Sequence, residues 1–159
     1  MKLKDELLKI VESFDKAGID YALCGGLAVA VHGHPRMTKD IDILIRLESL
    51  ETAKDALADI EYDLESGLFR FNPNTDKESQ MYRVSRAEGN NLVTLDLMLV
   101  APIFEPVWND RETVSLGEIV IKVVSKKGLI TMKEISGRPQ DIADIDALRR
   151  LDDEQWIKN

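Results

Sequence analysis

The sequence predicts an α+β fold in which helices flank a mixed β-sheet, and three observations carry this prediction. Apolar residues near the start recur at helical spacing, which is typical of a helix that covers a sheet. A strand–helix–strand unit spans Tyr21 to Ile45. From Leu92 to Val100, apolar residues recur at every second position, as they do on the buried face of a strand. At 159 residues the chain suits a single domain over residues 1–159. We expect the core over about residues 1–100, with a hairpin and helices over about 111–151.

The composition is that of a globular protein and disfavours several functional classes. With 44% hydrophobic and 31% charged residues, the chain falls in the ordinary range for folded domains. No apolar run has the length of a membrane span and the polar start is unlike a signal peptide, so we expect no membrane contact. Cys24 is the only cysteine, which excludes an internal disulfide and favours the cytoplasm. A net charge of −8 disfavours broad nucleic-acid binding and suits a cationic substrate or a basic protein partner.

The residue pattern in the first third of the chain predicts two helices and two strands. Lys2 to Lys16 is an amphipathic helix that stops before Gly18, and Tyr21 to Leu23 is a short apolar strand. A small-residue helix over Leu27 to Val31 and a strand over Asp40 to Ile45 complete this region.

The remaining elements follow from the same patterns. Strands are predicted over Gly67 to Phe71, Gln80 to Arg86 and Leu92 to Val100, with a hairpin over Thr113 to Ser125 that turns near Gly117. Helices are predicted over Glu48 to Ile60, Lys126 to Ile135 and Pro139 to Leu151. Pro102 to Trp108 reads as a loop or short helix, and Phe104 and Trp108 could line a substrate cleft.

The strand–helix–strand unit combines a glycine pair with a carboxylate pair. Gly25 and Gly26 end a strand, where they allow a tight turn and bring bare backbone and a helix N-terminus close to a phosphate. Asp40 and Asp42 are two residues apart on a strand and therefore share a face. Two adjacent carboxylates repel each other unless a cation joins them, and a hard divalent ion such as Mg²⁺ takes oxygen ligands. This order of features indicates chemistry on a nucleotide phosphate.

Asp96 is a third carboxylate in an unusual position. It is the only charged residue between Leu92 and Val100, in a strand that is otherwise apolar apart from Thr94. A carboxylate in such a strand needs a partner, which is either a basic side chain, loop backbone or a metal ion. With the Asp-Ile-Asp sequence already present, metal binding is the interpretation that we favour.

These residues resemble the signature of the DNA polymerase β-like nucleotidyltransferase superfamily. The signature reads CGG, then thirteen residues from Leu27 to Lys39, then DID, and it is most similar to small bacterial AbiEii-toxin-like and aminoglycoside or lincosamide nucleotidyltransferases. The resemblance implies a nucleotidyltransferase fold and an enzyme that uses Mg²⁺ or Mn²⁺ to move a nucleoside monophosphate from an NTP to an acceptor hydroxyl. It also implies that Asp40, Asp42 and Asp96 are the catalytic and metal-binding residues. One departure is Leu27, where many relatives have a serine.

Seven residues are candidates for nucleotide binding. They are Gly25, Gly26, Arg36, Thr38, Lys39, Arg83 and Lys133. Arg36, Thr38 and Lys39 directly precede Asp40, although a solvated polar loop also explains them. The predicted hairpin brings Arg83 near the Asp96 region, where the alternative is an exposed arginine on a sheet face. Lys133 is proposed from the resemblance alone, which also suggests Arg138 as a basic residue near the phosphates without adding it to these seven.

The sequence leaves the acceptor open. An antibiotic-like small molecule, the end of a tRNA and a protein hydroxyl all remain, as do a cognate antitoxin or a second copy of the chain as partner. The alternative to an enzyme is an inactive protein-binding partner that keeps the fold. A metal site at His32 and His34 is disfavoured because too few ligands converge there. Asp141 suits the first turn of the last helix, and Asp144 and Asp146 could face Arg149 and Arg150 or cap loops.

Overall fold

A mixed β-sheet runs through the middle of the protein in the computed structural model, which describes the backbone of residues 3–158 and the side chains of residues 3–151. Seven strands occur in the described chain. They are β1 (Ala22–Cys24), β2 (Asp40–Ile45), β3 (Leu64–Phe71), β4 (Ser79–Glu88), β5 (Asn91–Leu99), β6 (Glu112–Leu116) and β7 (Ile119–Val123). The strand order is β3-β4-β5-β2-β1-β7-β6. The mixed α/β architecture predicted from the sequence is confirmed.

Six helices accompany the sheet within residues 3–158, together with two short 3₁₀ turns at Leu47–Ser49 and Pro102–Phe104. The helices are α1 (Leu3–Ala17), α2 (Gly25–Val31), α3 (Leu50–Ala58), α4 (Glu105–Asn109), α5 (Lys126–Ser136) and α6 (Pro139–Lys158). Helix α1 packs on α3, and α5 packs on α2, α4 and α6. The start of the first predicted helix, Lys2, lies outside the described residues.

Both parallel and antiparallel pairs occur in the sheet. Strand β2 is parallel to β5 and antiparallel to β1, and β1 is parallel to β7. The hairpin β4–β5 and the hairpin β6–β7 are antiparallel, and β3 adds to β4. Ile41, Ile43 and Ile45 on β2 are fully buried, as their spacing on one face of the strand requires. The two carboxylates of β2 therefore occupy the opposite face, which is where the site forms.

Three boundaries differ from the predicted ones for identifiable reasons. Helix α2 begins at Gly25 instead of Leu27, so the glycine pair forms its first turn. Helix α3 ends at Ala58 because Glu61 takes a left-handed conformation with φ of 72° and Tyr62 N–H returns to the Leu57 carbonyl. Strand β3 is longer than predicted because a bulge at Gly67, with φ of 97°, interrupts the alternation that marks a strand.

No helix in the described part of the chain combines the length and apolar character that a bilayer crossing requires.

Candidate active site

The three candidate carboxylates lie on neighbouring strands in the centre of the sheet. Asp42 on β2 is directly opposite Asp96 on β5, and Asp40 is opposite Thr94. Paired residues of adjacent strands project from the same face, so all three side chains emerge together. Asp96 is 4% exposed, while Asp40 and Asp42 are half-buried. The sheet register therefore gathers the acidic residues that the sequence separates by more than fifty positions.

Two of the carboxylates on this face resist ionisation. Burial raises the pKa of Asp42 to about 7, and the charges of Asp96 and Asp40 add to the effect. Burial, followed by the charge of Asp96, also raises the pKa of Asp40, although Arg83 and Lys39 oppose the rise. Ionising these carboxylates together is consequently unfavourable unless a further cation is present.

Arg83 on β4 is the direct partner of Asp96. It lies opposite Asp96 in the β4–β5 register, and its Nε and Nη2 donate to the two carboxylate oxygens at 2.7 and 3.0 Å. Among residues 3–151, no three His, Cys, Asp or Glu side chains are grouped closely enough to form a ready-made metal site. A carboxylate has about four lone-pair directions, so the two bonds from Arg83 leave Asp96 with acceptor capacity.

The glycine pair is explained by contacts within the protein. Gly25 has φ of 66°, and a Cβ atom there would lie 2.7 Å from Cγ of Asp42 and closer still to its Oδ2. A Cβ atom on Gly26 would lie 2.8 Å from Oγ1 of Thr38 and 3.0 Å from Nη2 of Arg36. Gly26 is buried against these side chains, and only Gly25 of the pair lines the cavity described below. A residue larger than glycine at position 26 would therefore have to displace Thr38 and Arg36.

A cavity of about 520 Å³ opens beside the carboxylates, between the sheet face and α5. Its polar lining consists of Gly25, Asp42, Asn72, Ser79, Arg83, Asp96, Lys133, Ser136, Arg138 and Asp141. Its apolar lining consists of Cys24, Phe71, Met81, Met98, Phe104, Leu129, Met132 and Ile135. Charged groups and a flexible apolar wall thus face the same space.

Lys133 reaches the cavity from α5 as part of a buried ion network. It is 5% exposed, and its Nζ lies 2.9 Å from Oδ2 of Asp144 and 3.5 Å from Oδ1 of Asp141. Burial alone would raise the pKa of Asp144, but hydrogen bonds from Lys133 and Arg36 outweigh it and lower the pKa. Burial likewise opposes ionisation of Asp141, whose pKa is nevertheless lowered to about 2 chiefly by Arg138 and Ser136. Lys133 therefore keeps two ionised carboxylate partners.

The loop before β2 holds the other three basic or polar candidates. Nη2 of Arg36 donates to Oδ2 of Asp144 at 2.9 Å, which ties this loop to α6. Oγ1 of Thr38 donates to the carbonyl of Asp40 at 3.3 Å, and Lys39 is exposed. Of the predicted nucleotide-binding residues, the structure brings Gly25, Arg83 and Lys133 to the cavity and leaves Gly26, Arg36, Thr38 and Lys39 behind or beside it.

Comparison with known proteins identifies the family. Residues 1–132 match the family model NTP_transf_5, described as "Uncharacterised nucleotidyltransferase". The chain belongs to this nucleotidyltransferase family. No curated protein sequence matches the chain.

Solved structures with the nucleotidyltransferase fold agree with this assignment, at identities that show the fold alone. A lincosamide antibiotic adenylyltransferase, LnuA, solved with lincomycin, is 20% identical with a TM-score of 0.65 over 92% of this chain and 96% of its own. A putative nucleotidyltransferase from Thermotoga maritima is 16% identical, with a TM-score of 0.64 over 96% of this chain and 93% of its own. ANT(2")-Ia, in complex with adenylyl-2"-tobramycin, is 13% identical with a TM-score of 0.57 over 91% and 86%.

Among the other candidates from the sequence, His32 and Trp108 do not line this cavity. Nε2 of His32 donates to the carbonyl of Val124 at 2.7 Å, so this imidazole joins α2 to the end of β7. Trp108 is buried beneath the guanidinium of Arg111, 3.7 Å from its ring centre, whereas Phe104 does line the cavity. Of the two aromatic residues expected to line a cleft, only Phe104 lines this cavity.

Sequence reasoning missed the roles of Asp141 and Asp144 in this nucleotidyltransferase. Both are 1% exposed, and Asp144 faces Lys133 and Arg36 instead of Arg149 or a loop. Asp146 does pair with Arg150. A signal was present, because Asp141 and Asp144 fall at helical spacing with the buried Ile145 and Leu148. Acidic residues within an apolar helical stripe indicate buried partners.

Gly25→Ala should destabilise the nucleotidyltransferase by several kcal/mol. The left-handed backbone costs about 1–2 kcal/mol for a residue with a Cβ, and the clash with Asp42 adds about 1–3 kcal/mol of overpacking. Gly18→Ala is the matched control, because Gly18 has φ of 71° and no atom within 4 Å of the added Cβ. Urea denaturation of the two variants separates the cost of the left-handed backbone from the cost of the clash with Asp42. Equal losses of stability would contradict the close contact with Asp42.

Proposed function

We propose that this nucleotidyltransferase transfers a nucleoside monophosphate from an NTP to an acceptor hydroxyl with the help of Mg²⁺ or Mn²⁺. The observation that carries the proposal is the register of Asp42 and Asp96, with Asp40 beside them, on the face that opens into the cavity of Gly25 and Lys133. Carboxylates in this arrangement suit a divalent cation together with the phosphates that it accompanies.

The donor chemistry fits such a cation. Asp40 and Asp42 both have raised pKa values because burial and neighbouring carboxylates leave their charge uncompensated, and a cation would relieve that repulsion. Asp40 and Asp42 would hold the metal, and Asp96 would contribute an oxygen through the lone pairs that Arg83 leaves free. Bound there, the cation would neutralise triphosphate oxygens and polarise the reacting phosphate.

The side chains around the carboxylates have distinct roles in this reaction. Lys133 and Arg83 bind phosphate oxygens, and Gly25 allows the triphosphate to lie against backbone. The acceptor oxygen attacks the α-phosphorus, the bond from that phosphorus to the β-bridging oxygen breaks, and pyrophosphate leaves. Asp96 takes the proton from the attacking hydroxyl. Gly26 and Arg36 support the loop, and Thr38 and Lys39 contact the nucleotide from the rim next to Asp40.

A small molecule is the acceptor class that we favour. Methionine, phenylalanine and leucine side chains make up much of the cavity lining, and methionine adapts to irregular apolar ligands. A net charge of −8 disfavours an extended nucleic-acid substrate. Lincosamide and aminoglycoside antibiotics, named for two proteins of similar fold, are therefore reasonable first acceptors to test.

Pyrophosphate release tests the proposal directly. The wild-type chain, incubated with Mg²⁺, each of the four ribonucleoside triphosphates and a panel of antibiotics, should release pyrophosphate in proportion to labelled product. Omitting Mg²⁺ or adding EDTA should abolish release. Labelling of tRNA or protein in a cell lysate would point to a toxin-type enzyme with an antitoxin partner. No metal-dependent transfer to any acceptor would contradict the proposed function.

One observation favours the alternative of an inactive protein-binding partner. Arg83 satisfies Asp96 with two hydrogen bonds, so that this carboxylate does not need a metal to be buried. The same assay separates the two functions, because the inactive partner would bind a protein without releasing pyrophosphate.

A further inference from the structure

We propose that Asp144, which lies outside the cavity, positions Lys133 against the phosphates of the nucleotide, an inference that rests on the proposed function. Asp144 is on α6 and is 1% exposed. Its oxygens accept hydrogen bonds from Arg36 Nη2 at 2.9 Å and Gln140 Nε2 at 3.0 Å, and it forms an ion pair with Lys133 Nζ at 2.9 Å. These partners come from the loop before β2, from α6 itself and from α5, so one buried carboxylate joins three elements around the site.

Lys133 is the member of this network that reaches the cavity. Its long side chain could adopt many conformations, yet it is 5% exposed and held between Asp144 and Asp141. An ammonium has three N–H donors, and the two ion pairs at 2.9 and 3.5 Å leave donor capacity for a ligand in the cavity. Two fixed carboxylates therefore determine where the ammonium charge meets a phosphate.

The network is better explained by orientation than by stability. Burial of an ion pair costs desolvation energy that its attraction repays only in part, and apolar replacements of similar size are often at least as stable. Arg36, the other partner of Asp144, also donates through Nη1 to the carbonyl of Met37 at 2.8 Å, three residues before Asp40. Asp144 thus fixes Lys133 relative to the loop that leads into the metal-binding carboxylates.

The test is a double-mutant cycle between Asp144→Asn and Lys133→Met. Asp144→Asn keeps the shape of the side chain but removes the charge that holds Lys133, and it should raise the KM for the Mg²⁺-NTP about tenfold with a smaller change in kcat. In the Lys133→Met background the same substitution should raise KM less than about threefold. Asp146→Asn is the matched control, because Asp146 is exposed on the same helix and pairs with Arg150. Thermal melts confirm that each variant is folded.

Several results would overturn the proposal. In the first, the KM increases of Asp144→Asn and Lys133→Met multiply in the double mutant, which means that the two residues act independently. In the second, Asp144→Asn has the same KM as Asp146→Asn. If Asp144→Asn does not fold, Gln140→Leu takes its place, because Gln140 is exposed and donates a hydrogen bond to Asp144. This variant should raise KM in the wild-type background and leave it unchanged in the Lys133→Met background.

Equilibrium dialysis with Mg²⁺ and each ribonucleoside triphosphate separates this proposal from the proposed function. A wild-type chain that binds NTP but transfers nothing contradicts the function, and the binding constants of the variants then decide the role of Asp144. A wild-type chain that transfers normally, with NTP affinity unaltered by Asp144→Asn, contradicts only the positioning role.

Discussion

Asp42→Asn should reduce nucleotidyl transfer by at least about a hundredfold while stabilising the ligand-free protein at neutral pH. Loss of a residue that only supports a metal ligand costs about 10–100-fold in affinity or activity, so loss of a ligand should cost more. The pKa of Asp42 is about 7 in the folded protein against an ordinary value of 3.8, because burial and the charges of Asp96 and Asp40 oppose ionisation. Ionised Asp42 therefore disfavours folding, by up to about 4 kcal/mol.

The pH dependence of this effect has a definite sign. Between pH 4 and 7 the folded state retains the Asp42 proton that the unfolded state has released, so the stabilising contribution of the neutral acid falls as pH rises. The amide that Asp42→Asn introduces does not titrate in this range. Urea denaturation should consequently give similar stabilities for wild type and Asp42→Asn near pH 4, with the variant more stable at pH 7.5.

Two outcomes would contradict the role assigned to Asp42. An active Asp42→Asn variant would exclude it from metal-dependent transfer, and a stability difference independent of pH would exclude its raised pKa. Asp146→Asn, an identical substitution at an exposed site, serves as the control and should alter neither activity nor the pH profile.

Asp96→Asn should also abolish most transfer, by about 10²–10⁴-fold if Asp96 takes the acceptor proton, yet its effect on the ligand-free protein should differ. The substitution weakens the two hydrogen bonds from Arg83, whose side chain is 37% exposed, and it relieves the repulsion of Asp40 and Asp42. These effects oppose each other. We expect stability at pH 7.5 to remain within about 1 kcal/mol of wild type.

Ligand binding and pH separate the functions of Asp96 from those of its neighbours. Wild type should gain about 2.7 kcal/mol at a hundredfold excess of Mg²⁺-NTP over its dissociation constant, and Asp96→Asn should lose much of that gain. Neutralising Asp96 should also lower the pKa of Asp42 and reduce the loss of stability between pH 4 and 7. A variant that is far less stable without ligand and keeps the full ligand response would make Asp96 a purely structural partner of Arg83.

The sequence predicted those parts of the protein that depend on local pattern. The spacing of Asp40 and Asp42 placed them on one face of a strand, and the isolated charge of Asp96 indicated its importance. What it could not supply was the pairing of β2 with β5, because register between distant strands depends on the assembled sheet. The direct bond between Arg83 and Asp96 follows instead from the β4–β5 hairpin, which the sequence did predict.

Buried charge was the other feature that local pattern concealed. Glu6, on the buried side of α1, accepts from the Tyr62 hydroxyl at 2.8 Å and from Arg86, which lies 80 positions away in the sequence. Asp144 likewise depends on Arg36, 108 positions away. An acidic residue within an apolar stripe indicates that some partner exists, but only the tertiary fold determines which cation it is.

The pairing of β1 with β7 has a consequence for how the chain reaches this fold. Leu23 is opposite Val123, and Val124 N–H donates to the Leu23 carbonyl at 2.9 Å. One edge of β1, a central and fully buried strand, thus remains without its neighbour until a segment one hundred residues later has been synthesised. Contacts of such long sequence separation carry a high loop-closure cost and slow folding. During synthesis the nascent chain therefore exposes an unpaired apolar strand edge, the kind of surface through which incomplete chains aggregate and that chaperones protect.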